Sequence, residues 1–343
     1  MAKQVSIATL GSHSALNILK GAREEGFKAI CVCRKQDEQV YRSFGVADEI
    51  ILVDNFAELN SSKIVGQLEK LNAVIVPHGS FTAYLDIKEL KLPIFGNRKL
   101  MEVEANRERQ RDWLKNAGIS IPAAVARPEQ IDRLSIVKFH GARGGKGYFL
   151  ADSYATFQRK AARLKAKGLL TESDLRNAHI QEYVIGVNTY FSFFNSVVRN
   201  ELELLCIDKR YEANIDNIAR LPAEDQLRIE TDPTYTVTGN IPLVVRESLL
   251  PEIFAMGKKV CTSAKTYDAK GMFGPFCLES VINQDLKVVT FEISARIVAG
   301  TNTGIGTSPY AYLKHGPGMY MGRRIALELK EAQAQGMLEK VLT

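Results

Sequence analysis

Residues 137 to 150 read Val-Lys-Phe-His-Gly-Ala-Arg-Gly-Gly-Lys-Gly-Tyr-Phe-Leu, a cationic glycine loop with a strand signal on each side. The β-branched and aromatic side chains of Ser135-Ile136-Val137 and Tyr148-Phe149-Leu150 favour extended chain, and no helix pattern begins where the loop ends. This context excludes the two common nucleotide-binding turns. A Walker A loop needs Gly-Lys-Ser/Thr opening a helix, and a dinucleotide fingerprint needs Gly-x-Gly-x-x-Gly between a strand and a helix. What remains is a hairpin flap. Its glycines let backbone N–H groups come close to an anion, and Lys138, Arg143 and Lys146 add positive charge, so the flap suits a polyphosphate such as that of ATP. A plain glycine-rich turn is the other reading of the same residues.

A second constellation favours the nucleotide. Residues 274 to 280 (Gly-Pro-Phe-Cys-Leu-Glu-Ser) and 288 to 296 (Val-Val-Thr-Phe-Glu-Ile-Ser-Ala-Arg) read as neighbouring strands joined by the turn-prone Asn283-Gln284-Asp285. Each carries one carboxylate in an apolar run, Glu279 and Glu292. Charged side chains are rarely buried without a partner, so two of them on paired core strands call for a cation. Hard oxygen ligands suit Mg²⁺, which takes one or two carboxylates together with substrate phosphates. The alternative is a salt bridge in which an arginine such as Arg296 satisfies Glu292.

At 343 residues the chain exceeds one ordinary core and divides into two or three domains. Its net charge of +6 is spread along the sequence without aromatic interleaving, which fits an enzyme for anionic substrates and argues against a nucleic-acid binder. The five cysteines (Cys31, Cys33, Cys206, Cys261, Cys277) lie in apolar segments without zinc-type pairing. Reduced core thiols point to the cytoplasm. No apolar stretch reaches the length of a membrane span, and no signal-peptide pattern opens the chain.

The first hundred residues alternate strand and helix. Strands are predicted at 5–10, 29–33, 49–53 and 73–76 and helices at 15–25 and 63–71, a pattern that predicts a parallel sheet covered by helices. Ligands of such sheets sit beyond the carboxyl ends of the strands. Gly11-Ser12-His13-Ser14 and Pro77-His78-Gly79-Ser80 occupy two of those places, which makes His13 the stronger and His78 the weaker candidate for function. A helix at 107–117 leads to the flap region, and its Asn-Arg-Glu-Arg-Gln-Arg run reads mainly as a solvated face. Beyond the flap, a helix at 154–167 has Ser153 as N-cap, followed by strands at 178–184, 189–194 and 202–207. The polar run 208–212 and an irregular stretch 213–247 come next. A stretch of that length in a compact enzyme is commonly functional. The last helix is predicted from about 321 to 331.

Taken in order, these parts resemble the ATP-grasp superfamily and, within it, the archaeal formate-dependent 5-formaminoimidazole-4-carboxamide ribonucleotide synthetases. The resemblance spans essentially the whole chain. It is carried by Ile7-Ala-Thr-Leu-Gly-Ser-His-Ser14, Val76-Pro-His-Gly-Ser80, Phe95-Gly-Asn97, the flap, Gln181-Glu-Tyr-Val184, Asp208-Lys-Arg-Tyr-Glu212, Thr238-Gly-Asn-Ile-Pro242, Gly274-Pro-Phe-Cys277, Phe291-Glu-Ile-Ser-Ala-Arg296 and Gly300-Thr-Asn302. It implies an α/β protein with α+β subdomains. A parallel-sheet pre-ATP-grasp domain would span 1–100 and a linker and helix 101–125. A small flap-bearing subdomain would span 126–196 and a C-terminal subdomain 197–343.

The resemblance also implies an activity, in which ATP phosphorylates formate and the formyl phosphate formylates the 5-amino group of aminoimidazole carboxamide ribonucleotide (AICAR) in inosine monophosphate synthesis. It implies ATP contacts from Arg107, Lys138, Gly141, Ala142, Arg143, Gly144, Gly145, Lys146 and Gly147. Further ATP contacts would come from the hinge Glu182, Tyr183 and Val184, and from Lys209 and Glu212. Mg²⁺ or Mn²⁺ would be held by Glu279 and Glu292. Arg296, with Lys138, would act on formate and the developing acyl phosphate. The ribonucleotide would meet His13, Ser80, Asn240, Thr301 and Asn302. A homo-oligomer is implied as well. Two positions depart from the wider superfamily: Ser294 stands where many members carry a metal-binding asparagine, and Asn188 where relatives often carry an acidic ribose contact. A ligase for another acid or amine, and a paralogue that binds nucleotide without turnover, are the rival readings.

Overall fold

The computed structural model describes residues 4–139, 148–228 and 236–343. Strands β1 (Ser6–Leu10), β2 (Ala29–Arg34), β3 (Glu49–Val53) and β4 (Ala73–Ile75) form a parallel sheet in the order β3-β2-β1-β4. β1 is buried at every position, as expected for a strand covered on both faces. The chain steps from β1 through β2 to β3 on one side and then returns to place β4 on the other. β1 and β4 therefore flank the crevice where the winding reverses.

The smaller of two antiparallel sheets contains β5 (Ala124–Val125), β6 (Ser135–Lys138), β7 (Tyr148–Ala151) and β8 (His179–Glu182), in the order β5-β8-β6-β7. Val137, Phe149 and Ile180 pack there against Phe157 and Leu164 of the helix Tyr154–Ala166. The larger sheet orders β9 (Val187–Ser196), β10 (Glu201–Glu212), β11 (Val237–Pro242), β12 (Gly274–Ile282) and β13 (Val288–Ser294) as β11-β10-β9-β12-β13.

Three expectations are corrected here. β9 pairs with β10 and β12, so residues 187–196 belong to the larger sheet and not to the flap-bearing subdomain; its apolar Phe191 and Phe193 complete that core with Leu204, Phe276 and Leu278. The polar run 208–212 does not end the strand, because β11 supplies its ladder partner. Thr238-Gly-Asn-Ile-Pro242, within the stretch expected to be irregular, is that partner. β11 is the edge strand of its sheet, where Pro242 can sit without its missing N–H disrupting an inner ladder.

The helix Met321–Ala334 returns to the first domain and lies against the helix Ala15–Glu24. The crossing is so close that a Cβ on Gly322 would stand 2.1 Å from the Asn17 carbonyl oxygen, and the Gly322 N–H donates to Asn17 Oδ1 at 2.6 Å. On the opposite side, fully buried Arg324 pairs with Glu203 at 2.9 Å and Glu328 at 3.0 Å. Glu328 also accepts the Val197 and Val198 N–H groups at 2.8 and 3.0 Å, which ties the helix to the β9–β10 turn. A bridge between His78 and Ile297 completes the junction. The five cysteines are free thiols, as the sequence predicts. Among the described residues no helix is long and apolar enough to cross a membrane.

Candidate active site

The loops that follow β1 and β4 meet at the switch point. His78 caps the short helix Gly79–Tyr84 and is wholly buried: its Nε2 donates to the Leu10 carbonyl at 2.8 Å and its Nδ1 accepts the Ser80 N–H at 3.3 Å. Burial pushes its pKa down to about 3, so His78 is a neutral strut between the two loops. His13 takes a left-handed backbone (φ 46°) that carries its ring to the cleft. Its Nδ1 lies 2.9 Å from Ser80 Oγ and 3.0 Å from Ser12 Oγ, and the two hydroxyls are 2.8 Å apart. Crowding by protein, then the charges of Arg296 and Arg210, lower the His13 pKa. Its outer face is exposed to water, which screens part of this, so the neutral form is favoured without being locked. Gly79 leaves a gap between these groups, since a Cβ there would be 3.2 Å from the His13 ring and 3.7 Å from Arg296 Cζ.

The carboxylates foreseen on β12 and β13 face one another: Glu279 and Glu292 are register partners. Glu279 accepts Arg210 Nη2 at 2.8 Å and the Ser294 hydroxyl at 3.3 Å. Arg210 also lies 3.8 Å over the Tyr190 ring. Burial opposes its charge, but Glu279 outweighs this and raises the Arg210 pKa. Glu292 accepts no hydrogen bond from the described residues. Protein packed around it, and then Glu279, push its carboxyl up to about 7, opposed by Lys138 and Arg210. The Glu292 side chain is open to cleft water, which screens part of this push.

The arginine alternative for Glu292 is not what forms. Arg296 instead pairs with buried Glu104 at 2.8 Å, whose other oxygen accepts the Ala295 N–H at 2.7 Å. Burial raises the Glu104 pKa, and Arg296 is the main opposing influence. Glu104 and Arg210 are the two site residues that sequence reading missed. Arg210 could have been found by alternation, had 208–212 been read as strand, because Asp208 and Arg210 then share one face. Glu104 carries no local signal; its role depends on a contact spanning 191 positions.

On the side of the smaller sheet, Lys138 ends β6 in a pocket of positive charge with Arg107 and Arg111; burial lowers its pKa and Glu292 resists that. Arg107 opens the helix Arg107–Asn116 behind the N-cap Asn106. The flap residues Gly141, Ala142, Arg143, Gly144, Gly145, Lys146 and Gly147 lie outside the described residues. At the hinge, the Glu182 and Tyr183 N–H groups are already donated to Ala123 and Leu134, at 2.8 and 2.9 Å, and the Glu182 carboxylate accepts the Ala123 N–H at 3.2 Å. The Val184 N–H makes no backbone bond among the described residues and is open to a ligand acceptor. Glu212 is buried at the end of β10, and burial raises its pKa, with Asp216 adding to the effect. Lys209 is exposed on the face opposite Asp208 and Arg210 and is not gathered with them.

Of the remaining candidates, Asn240 donates from Nδ2 to Asp208 at 2.9 Å, and Asn302 donates to the His13 carbonyl at 3.2 Å. Thr301 is buried, with its hydroxyl donated to Val298 at 2.6 Å and its carbonyl accepting Asn17 Nδ2 at 3.1 Å. The structure thus brings His13, Ser80, Arg296 and Asn302 to one junction, adjoining Arg210 and the two glutamates.

Among the described residues no cluster of three or more His, Cys, Asp or Glu side chains could hold a metal alone. Two opposed carboxylates, one of them unengaged, fit Mg²⁺, which fills its remaining positions with phosphate and water.

A small and a large antiparallel sheet meeting over opposed glutamates and a strand-borne lysine, behind a parallel α/β domain, define an ATP-grasp enzyme. An N5-carboxyaminoimidazole synthetase from Staphylococcus aureus, solved with ADP, has the same fold (TM-score 0.63, 16% identity, 89% of this chain and 75% of that one). The chain belongs to the 5-formaminoimidazole-4-carboxamide ribonucleotide synthetase family, ligases of purine biosynthesis. It is 48% identical over 339 residues to the 5-formaminoimidazole-4-carboxamide-1-(beta)-D-ribofuranosyl 5'-monophosphate synthetase of Archaeoglobus fulgidus, covering 98% of this chain and 94% of the relative. The crystal structure of an IMP biosynthesis protein PurP from Thermococcus kodakaraensis matches with TM-score 0.77 and 29% identity, covering 98% of this chain and 100% of that one. Two family models also match: one described as a domain of unknown function (DUF1297) over residues 156–343, the other as a protein of unknown function (DUF1246) over residues 7–125.

Proposed function

We propose that this chain formylates the 5-amino group of AICAR, using formate and ATP and releasing ADP and phosphate. The observation that carries the reading is the junction itself: the switch-point loops bring His13 and Ser80 against Arg296, next to the two opposed carboxylates of the ATP-grasp sheet. An anionic ribonucleotide, a small carboxylate and a triphosphate would each find a suited neighbour there.

Formate is a poor acyl donor because its leaving group would be oxide. Attack by a formate oxygen on the γ-phosphorus of ATP expels ADP and gives formyl phosphate. The AICAR amine then attacks the formyl carbon, phosphate departs, and the amine nitrogen loses a proton. Lys138 and Arg107, together with the flap residues 141–147, would neutralise the polyphosphate, and Val184 with the hinge would take adenine. Glu279 and Glu292 would hold Mg²⁺ or Mn²⁺, which supplies charge neutralisation for phosphoryl transfer when bound. Arg296, oriented by Glu104, would grip formate and the acyl phosphate through charge-assisted hydrogen bonds. His13, Ser80, Asn240, Thr301 and Asn302 would hold the ribonucleotide. Exclusion of water by the flap would protect the acyl phosphate.

Phosphate release measured with formate and AICAR, singly and together, tests this. Turnover that needs both is expected. Turnover with neither required, or with another acid preferred, would overturn it. The homo-oligomeric state and cytoplasmic location belong to the same proposal, and light scattering of the purified chain decides the first.

A further inference from the structure

Asp208 has no role in the account above, yet one proposed ribonucleotide contact, Asn240, bonds to it, and the turn that carries two others packs against it. It is fully buried, and its Oδ2 accepts the Asn240 amide at 2.9 Å. Its Oδ1 has no partner among the described residues. Gly300, next to Thr301 and Asn302 in chain, lies so close that a Cβ there would fall 2.1 Å from Asp208 Oδ1 and 2.3 Å from Oδ2. Only a residue without a side chain lets the turn 299–304 settle on the carboxylate. Asp208 therefore underlies both the edge strand that carries Asn240 and the turn that carries the other two contacts.

We propose that Asp208 is a positioning residue that fixes the Asn240 amide with its N–H₂ inward and its carbonyl toward the ligand, so that Asn240 reads a hydrogen-bond donor on the ribonucleotide. An ionised carboxylate only accepts hydrogen bonds, so it holds the amide in one of its two orientations. Asn240 Oδ1 accepts nothing from the described residues and is left for the ligand. Burial raises the Asp208 pKa to about 6, with Arg210 opposing, which leaves the group ionised at neutral pH. A site built to accept a substrate N–H or O–H discriminates strongly against ligands that lack it. The inference rests on the ribonucleotide reading of this cleft.

The test uses Asp208→Asn, which keeps the shape but can donate to Asn240 and so releases the amide to flip. The KM for AICAR is expected to rise about tenfold, as for loss of a hydrogen bond to a charged group, while the KM for ATP and kcat stay within about twofold. An unchanged KM for AICAR, or an equal rise for ATP, overturns the proposal. A second measurement needs no turnover. The Asn240 side-chain amide signals, assigned through Asn240→Asp, should show one proton protected from solvent exchange in the wild type and unprotected in Asp208→Ala. Equal exchange in both overturns the positioning role. If the wild type fails to use AICAR, the proposed function falls, and the exchange measurement alone decides the role of Asp208.

Discussion

Gly79→Ala separates the needs of the fold from those of the site. Gly79 begins the helix Gly79–Tyr84, and its φ is outside the left-handed region, so alanine meets no backbone strain. Replacing a helical glycine by alanine gains up to about 1 kcal/mol, less at a first turn. Against this, the methyl would stand 3.2 Å from the His13 ring and 3.7 Å from Arg296 Cζ. Carbon contacts relax at about 3.5 to 4.0 Å, so the exposed ring must yield by a few tenths of an ångström, at a cost of about 1 kcal/mol, the low end for overpacking. The two effects nearly cancel, and Tm should move by no more than a few degrees. Activity should not survive as well, because the methyl presses between His13, proposed to hold the ribonucleotide, and Arg296, proposed to grip formate. Displacements approaching 1 Å can cost about 10²-fold. The ring shifts by only a few tenths of an ångström, so we expect kcat/KM for AICAR to fall about tenfold or somewhat less, with the KM for ATP unchanged. Steady-state kinetics and a thermal melt on the same preparation suffice. Wild-type kinetics would refute the location of the reacting groups, and a large drop in Tm would show the gap to be structural.

Glu292→Gln removes the charge a divalent cation needs, so turnover should fall close to zero while the melting curve is preserved; near-normal turnover would remove Glu292 from the metal site. Arg324→Leu leaves Glu203 and Glu328 buried without their shared cation, and urea denaturation should show a loss of about 3 to 5 kcal/mol. A loss below 1 kcal/mol, within the range of exposed pairs, would mean the network contributes little. For Asp208, the folded pKa is raised to about 6 from 3.8, so the folded state binds the proton more tightly than the unfolded chain. Burying the charged form thus costs stability above pH 6, and that cost, roughly 3 kcal/mol, is relieved as pH falls from 6 toward 3.8. Wild type should accordingly gain on Asp208→Asn across that window, as followed by urea midpoints, and parallel pH profiles would contradict the assignment.

Much of the site is written locally. Alternation of strand and helix predicts the parallel sheet, and β1 to β4 fall within a few residues of their expected bounds because each is a continuous apolar run between turn residues. Glu279 and Glu292 stand out for the same reason, being lone charges in apolar strands. Local patterning thus records periodicity and residue chemistry: which segments are strands, which face is apolar, and which polar groups need a partner. Which partner each receives was decided only in three dimensions. Arg296 met Glu104 and not Glu292; Asn240 found Asp208 across a ladder that exists only because an edge strand formed; Thr301 and Asn302 were held by Asn17 and His13 from the far end of the chain. Hydrogen bonds and ion pairs act over a few ångströms, whereas these partners lie 32 to 289 positions apart, and no local pattern records such a meeting.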